Sequence, residues 1–299
     1  MSPKKYLYWY AALVIVLSGL LATFNMLVDH YLLFGSERIS GFNEKKPTSI
    51  NRTKLYKSYE VMRVTPNSLI VGNSRPEMGL APQSSCWKSE HGTVYSLTFP
   101  GLSAYEQIRA LFHGVSSSNV SHILLGVDFY DVLYRRRNND NPFAWPHKSS
   151  EFLDRLLVDE NLKENDRFWR TQLSDSFMAL FSLNAVIDSL YTIALQSPNS
   201  PDRTRLGFNP ARDYQEVIQH EGAWVLFNQK LSELKSHFSK TGMSIYTPPY
   251  RWSIELEALK RTIKLVQKHN IHLIIFINPY HYSYLESIRE AGYWDGIQA

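Results

Sequence analysis

An uncharged apolar run near the N-terminus, LYWYAALVIVLSGLLATFNMLV from Leu7 to Val28, constrains this 299-residue chain more than any other feature. At roughly 1.5 Å rise per residue it forms a helix about as long as a bilayer hydrocarbon core is thick. A cleaved secretory signal has a shorter apolar stretch ending in small residues, whereas this one continues through Phe24, Met26 and Leu27. The run therefore reads as a retained anchor, with the membrane as its partner. Lys4, Lys5 and the terminal amine precede it, while Asp29, Glu37 and Arg38 nearly balance after it. The positive-inside bias then makes residues 1–6 a cytoplasmic tail and puts the body of this single-pass protein on the extracytoplasmic side.

Residues 29–53 read as a polar linker, with Gly35, Gly41, Asn43, Lys45, Lys46 and Pro47. Residues 54–299 suffice for one large domain with an adequate core. The 32 basic and 28 acidic residues leave a net charge of +4, too small and too dispersed for a nucleic-acid footprint. Cys86 is the only cysteine, so an internal disulfide is excluded; its side chain reads as a small buried hydrophobe. No histidine stands at metal-ligand spacing with carboxylates, and neither a metal nor another cofactor is expected.

Short β-rich runs alternate with longer helical ones, the pattern of βαβ units and a largely parallel sheet. Four strands are expected, at Ser68 to Val71, Thr93 to Leu97, His122 to Val127 and His272 to Ile277. The last two are nearly continuous apolar runs, which suits central strands covered on both faces. Ser103, Asp213 and Ser283 each stand three residues before a glutamate and read as helix caps. Trp224, Phe227, Leu231, Leu234 and Phe238 recur at helical spacing, as do Leu256, Leu259, Ile263 and Val266, and both stripes read as core. Ser174 to Leu195 is helical and belongs to an excursion over about 135–210 that reads as an insertion or cap.

Ligands of an open parallel sheet bind beyond the carboxyl ends of its strands. The residues following the four strands are Gly72-Asn73-Ser74-Arg75-Pro76, Thr98-Phe99-Pro100-Gly101, Gly126-Val127-Asp128 and Asn278-Pro279-Tyr280-His281. Ser74 has two readings: a nucleophile beside free N–H groups that stabilise an oxyanion, or a plain helix cap before a proline. Two further segments carry alternatives. The basic stretch Arg135-Arg136-Arg137 leading to His147 reads as a contact for an anionic glycan or headgroup, or as a solvated charge run; Tyr246 to Trp252 reads as a sugar cleft or a rigid helix entry.

These blocks also carry a resemblance. GNSRPEMGL, YSLTFPGLSAYEQIRALF, ILLGVDFYDVL and FINPYHYSYLESIREAGYW together resemble membrane-anchored SGNH hydrolase-like proteins of bacterial cell envelopes and exopolysaccharide clusters, from Gly41 to Trp294. The resemblance implies a three-layer, flavodoxin-like α/β domain with helices on both sheet faces, and an O-acyl esterase or acyltransferase acting on envelope polysaccharide. Ser74 would be its nucleophile, with Asn73, Arg75, Gly101, Asp128 and Asn278 serving the oxyanion or substrate. Asp128 replaces the usual asparagine donor, so it must pair with Arg75 or hold a proton if negative charge is to develop nearby.

The superfamily's closing Asp-x-x-His block has no counterpart, because no histidine here follows an aspartate by three residues. His281 keeps that spacing from Asn278 and remains open as a general base, a substrate-site residue or a loop histidine. The chain is accordingly expected to be a shortened, nearly inactive member, or alternatively a module that binds polysaccharide or an export partner. An Asp-x-x-His segment is expected in the DNA downstream. A periplasm-dependent reporter fused after Phe34 is expected to be active, and an inactive one beside an active cytoplasmic reporter would reverse the orientation.

Overall fold

A computed structural model describes residues 2–135, 151–239, 243–244 and 253–295. Arg136, Arg137, His147 and the segment Tyr246 to Trp252 lie outside the described residues. In chain order come α1 (Pro3–Val28), α2 (Thr53–Val64), β1 (Ser68–Gly72), α3 (Ser74–Gly79), β2 (Val94–Thr98), α4 (Ala104–Ser117), β3 (His122–Val127), α5 (Phe129–Val132) and β4 (Tyr134–Arg135). They are followed by α6 (Glu151–Asp154), α7 (Phe168–Phe181), α8 (Leu183–Ala194), α9 (Arg212–Glu221), α10 (Ala223–Phe238), β5 (Met243–Ser244), α11 (Ile254–Lys268), β6 (His272–Ile277) and α12 (Tyr282–Glu290). The fold is mixed α/β, and α1 is long and apolar enough to cross a membrane.

Four strands form a parallel sheet in the order β2-β1-β3-β6, with Ser68 opposite both Val94 and His122, and His122 opposite His272. Because all four run the same way, the polar blocks after them share one edge. On one face Leu69, Tyr95, Leu97, Ile123 and Leu125 pack with Leu111 of α4 and with Ala258 and Leu265 of α11. The outer edge of β2 is covered by the chain returning from the helical excursion, where the Ser96 N–H donates to the Leu206 carbonyl at 2.9 Å. Gly207 permits that approach, since a Cβ there would stand 2.5 Å from the Ser96 oxygen.

β6 departs from expectation. It is an edge strand, and among the described residues no strand pairs with its outer side. Ile274 and Ile277, on opposite faces, are 50 % and 73 % exposed. An apolar run records hydrophobicity and does not record which side receives a neighbour.

The helices follow their local signals unevenly. Ser103 caps α4 in a reciprocal box with Glu106. Asp213 and Ser283 lie inside α9 and α12, which begin earlier, at Arg212 and Tyr282. The stripe of α10 is core only towards its end: Leu234 and Phe238 are buried, whereas Trp224 is 66 % exposed. Of the α11 stripe Val266 is buried and Leu259 packs against the core, whereas Ile263 is exposed; the buried side runs through Ala258, Thr262 and Leu265, where small residues admit the close approach of α4. Cys86 is an exposed free thiol, not a buried hydrophobe.

The segment read as a linker is built into the body. The Asn43 amide donates to the Leu27 carbonyl at 2.8 Å and the buried Lys46 ammonium to the Val28 carbonyl, satisfying orphan acceptors at the end of α1. A cation there also complements the helix dipole. The Asp29 carboxylate accepts the backbone N–H groups of Phe34, Gly35 and Ser36 at 3.1, 2.9 and 3.1 Å. Spacing along the chain marks such polar residues as solvent-seeking, and only their tertiary partners reveal them as caps.

Beneath α3, the buried Glu77 carboxylate receives Lys57 Nζ at 2.9 Å and Arg203 Nε at 3.2 Å, while Lys57 also donates to the Thr98 carbonyl at 2.8 Å. Removing one member of a buried ion cluster leaves uncompensated charge. Glu77→Ala is therefore expected to lower stability by about 3–5 kcal/mol, measured by denaturant unfolding in detergent; a loss below about 1 kcal/mol would show that the cluster is not the brace of this region.

Candidate functional site

The turn after β1 is set by Gly72, whose φ of +150° L-residues rarely adopt and where a Cβ would meet Pro76 Cγ at 2.6 Å. Asn73 follows as the cap of α3, its Oδ1 accepting the Arg75 N–H at 2.9 Å. Ser74 is therefore the first helical residue and not the cap. It is half-buried, and no described residue hydrogen-bonds its hydroxyl.

Asp128, which caps α5 after β3, is the hub of the edge. Its Oδ1 accepts Tyr280 OH at 2.9 Å, Tyr284 OH at 3.1 Å and the Tyr130 N–H at 3.2 Å. Its Oδ2 accepts the Asn73 amide at 3.2 Å and pairs with Arg75 Nε at 3.1 Å. The pairing with Arg75 is the one anticipated if Asp128 replaces an asparagine. The rings of Tyr280 and Tyr284 stack 4.6 Å apart, and the Arg75 guanidinium lies 4.7 and 4.6 Å from their centroids. Arg75 is thus held by an ion pair and by cation–π contact. Its Nη1, however, is buried without a partner among the described residues, as is Asn278 Nδ2.

Those two donors belong to residues lining a cavity of about 550 Å³. Its walls are largely apolar, with Leu80 from the end of α3, Phe227, Leu231 and Leu234 from α10 and Phe276 from β6, and Lys230 and His281 add polar groups. The structure therefore brings Arg75, Asn278 and His281 to one cavity, and Asn73, Arg75 and Asp128 to one hydrogen-bonded cluster. Ser74 and Gly101 stand at the same sheet edge, but neither lines the cavity. Gly101 sits in an exposed turn with φ +73°.

His281 caps α12: its Nδ1 accepts the Ser283 N–H at 3.2 Å, and its ring meets Phe227 edge-on at 4.5 Å. When neutral, an imidazole that accepts at Nδ1 carries its proton on Nε2. The remaining nitrogen is then a donor and not a base. Among the described residues, no three His, Cys, Asp or Glu side chains converge as a metal-binding set.

Sequence spacing overlooked Gln107, Asp131, Tyr280 and Tyr284. Two of these carried a signal in hindsight, since Tyr280 and Tyr284 are four apart at a helix start and reach the same Asp128 oxygen. The buried Asp131 carboxylate accepts the amides of Asn73 and Gln107, each at 2.7 Å. Burial first, and then the charge of Asp128, push it from 3.8 up to about 7. With the folded value raised, its stabilising contribution is full below pH 3.8 and is lost as pH rises through about 7. Asp131→Asn mimics the protonated acid, so the melting temperature of the variant minus that of the parent is expected to grow between about pH 5 and pH 8. A pH-independent difference would show that Asp131 does not titrate there. Compared with known proteins, the chain matches no family model, no curated protein and no solved structure.

Proposed function

We propose that this chain is a membrane-anchored, extracytoplasmic SGNH-like module that binds an acyl-bearing envelope glycan and turns over esters weakly or not at all. α1 is its single span, with the N-terminus in the cytoplasm. The domain is a three-layer α/β unit, and the parallel sheet with polar residues gathered at its carboxyl edge supports that assignment. The acyl group enters the apolar cavity, and ligand oxygens accept hydrogen bonds from Arg75 Nη1 and Asn278 Nδ2. Buried donors left unpaired in an apolar cavity supply orientation and specificity to a ligand that pairs them.

One observation carries the preference for binding over catalysis: the Nδ1 of His281 is committed to the Ser283 N–H. Without a base the neutral Ser74 hydroxyl is a poor nucleophile, although groups around a crippled triad can still give about 10³ to 10⁴ over water. Asp128 offers no substitute, because both of its oxygens already accept from several donors. The position of Ser74 at the start of α3 is what favours the second reading, an esterase or acyltransferase.

The two readings separate with the full chain in nanodiscs, a fluorophosphonate probe and a butanoyl ester of an oligosaccharide. Binding without turnover is expected, with no labelling of Ser74. Ser74→Ala should leave affinity within about twofold, and Arg75→Ala should weaken it about tenfold or more, the loss of a charge-assisted hydrogen bond. Rapid labelling, with turnover abolished by both Ser74→Ala and His281→Ala, would instead establish the enzyme.

A further inference from the structure

The helical excursion carries an apolar face that the proposed site does not use. α7 and α8 meet at a bend of 64°, and Ser182 between them caps α8 by accepting the Ala185 N–H at 3.1 Å. Their inward sides are fixed to the body. Phe168 and Ala179 are buried, and Asp175 pairs with Arg155 at 2.7 Å and accepts Tyr59 OH at 2.6 Å. Their outward sides present Leu173, Phe177 and Phe181 at four-residue spacing, then Leu183, Ile187 and Leu190, which are 37–75 % exposed.

No charged side chain interrupts that stripe. The two carboxylates within it turn inward, Asp175 to Arg155 and Asp188 to Tyr31 OH. Exposed Trp169 and Tyr191 flank it at the ends remote from the bend. Amphipathic aromatic rings at the borders of an apolar patch are characteristic of the bilayer–water interface.

The location of the pair identifies what covers this face. α1 packs against both helices. The Asn25 amide donates to the Leu180 carbonyl at 2.8 Å, and Ser189 donates to Asn25 Oδ1 at 2.8 Å. Tyr6, Tyr8, Trp9 and Tyr10 mark the first interface of α1, and about 15 to 20 residues further on, close to a hydrocarbon thickness, the helix has reached Asn25 and Met26. The α7–α8 bend is therefore held level with the outer boundary of the span. Because Asn43, Lys46 and Asp29 fasten the end of α1 to the body, that height is fixed.

We infer that α7 and α8 lie in the outer interfacial layer of the bilayer that α1 crosses, with their apolar stripe among the acyl chains. This rests on the reading of α1 as a membrane span. The occupant is lipid: Met26 and Leu27, next to Asn25 on α1, are exposed as well, and helices that present an apolar stripe with aromatic flanks bind bilayers in this manner. The body is then seated on the membrane along two helices besides its anchor, so that it faces its ligand in one orientation.

The test uses the full chain with Cys86→Ser and single cysteines introduced as Leu17→Cys on α1, Leu183→Cys and Ile187→Cys on the stripe, and Ser236→Cys on α10. Each is labelled with an environment-sensitive fluorophore and reconstituted into phosphatidylcholine vesicles with and without brominated acyl chains. Bromolipid is expected to quench the Leu17, Leu183 and Ile187 labels at least twofold and to leave the Ser236 label unchanged. Quenching at Leu17 alone, with water-like emission at Leu183 and Ile187, overturns the interfacial placement while the anchor stands. Blue-shifted but unquenched labels at Leu183 and Ile187 that cross-link between copies also overturn it, in favour of a second copy on the stripe. An unquenched Leu17 label refutes the anchor itself.

Discussion

The Glu77 carboxylate, placed between Lys57 and Arg203 in the interior, joins four parts of the chain that are remote in sequence. Lys57 comes from α2, Glu77 from α3, Arg203 from the return of the helical excursion, and the Thr98 carbonyl that shares the Lys57 ammonium ends β2. Charges in such surroundings are tolerated only when each has its partners, so these four segments must arrive together. The same loop carries Leu206 to the edge of β2 and closes it. Once α3 is held at its Glu77 end, Ser74 and Arg75 at its other end have a defined direction. Arg75 then finds Asp128 and the paired tyrosines, and the polar edge is rigid without a ligand.

That rigidity has a chemical cost and a use. Both oxygens of Asp128 are occupied by donors from the protein itself, and what it fixes is Arg75. What remains outward is a small set of donors: one guanidinium nitrogen, one amide nitrogen and one capping imidazole. Donors without an adjacent base suit recognition of oxygen atoms better than their activation. An apolar wall beside them suits a ligand with both polar and hydrocarbon parts.

The parts legible from the sequence are those determined locally. The strand runs were found to within a residue because they are short, apolar and bounded by turn formers, and Ser103 with Glu106 needs only its own helix to form a capping box. The common edge for Ser74, Gly101, Asp128 and Asn278 followed from parallel pairing, a consequence of βαβ connectivity. What escaped depended on distant partners. His281 is the exception: left open as a base, a substrate-site residue or a loop histidine, it takes on its Nδ1 a backbone N–H only two residues away. Asn43 and Lys46 looked like linker residues because their acceptors, the last carbonyls of α1, lie in another element. The α11 stripe is core at Val266 but not at Ile263, because the depth of a helix face depends on which residues let a neighbour approach, and Ala258 and Thr262 do.

The pairing of β3 with β6 has a consequence for the order of assembly. β1, β2 and β3 all lie between Ser68 and Val127, so three adjacent strands of the sheet are complete early in synthesis. The fourth waits until His272 to Ile277 emerges, after the whole excursion and α9 to α11. Closing such a long loop is slow, and the side of β3 destined for β6 stays open in the meantime. An unpaired strand is a template for wrong partners. That interval, between the emergence of β3 and the arrival of β6, is the stage of synthesis most exposed to misassembly.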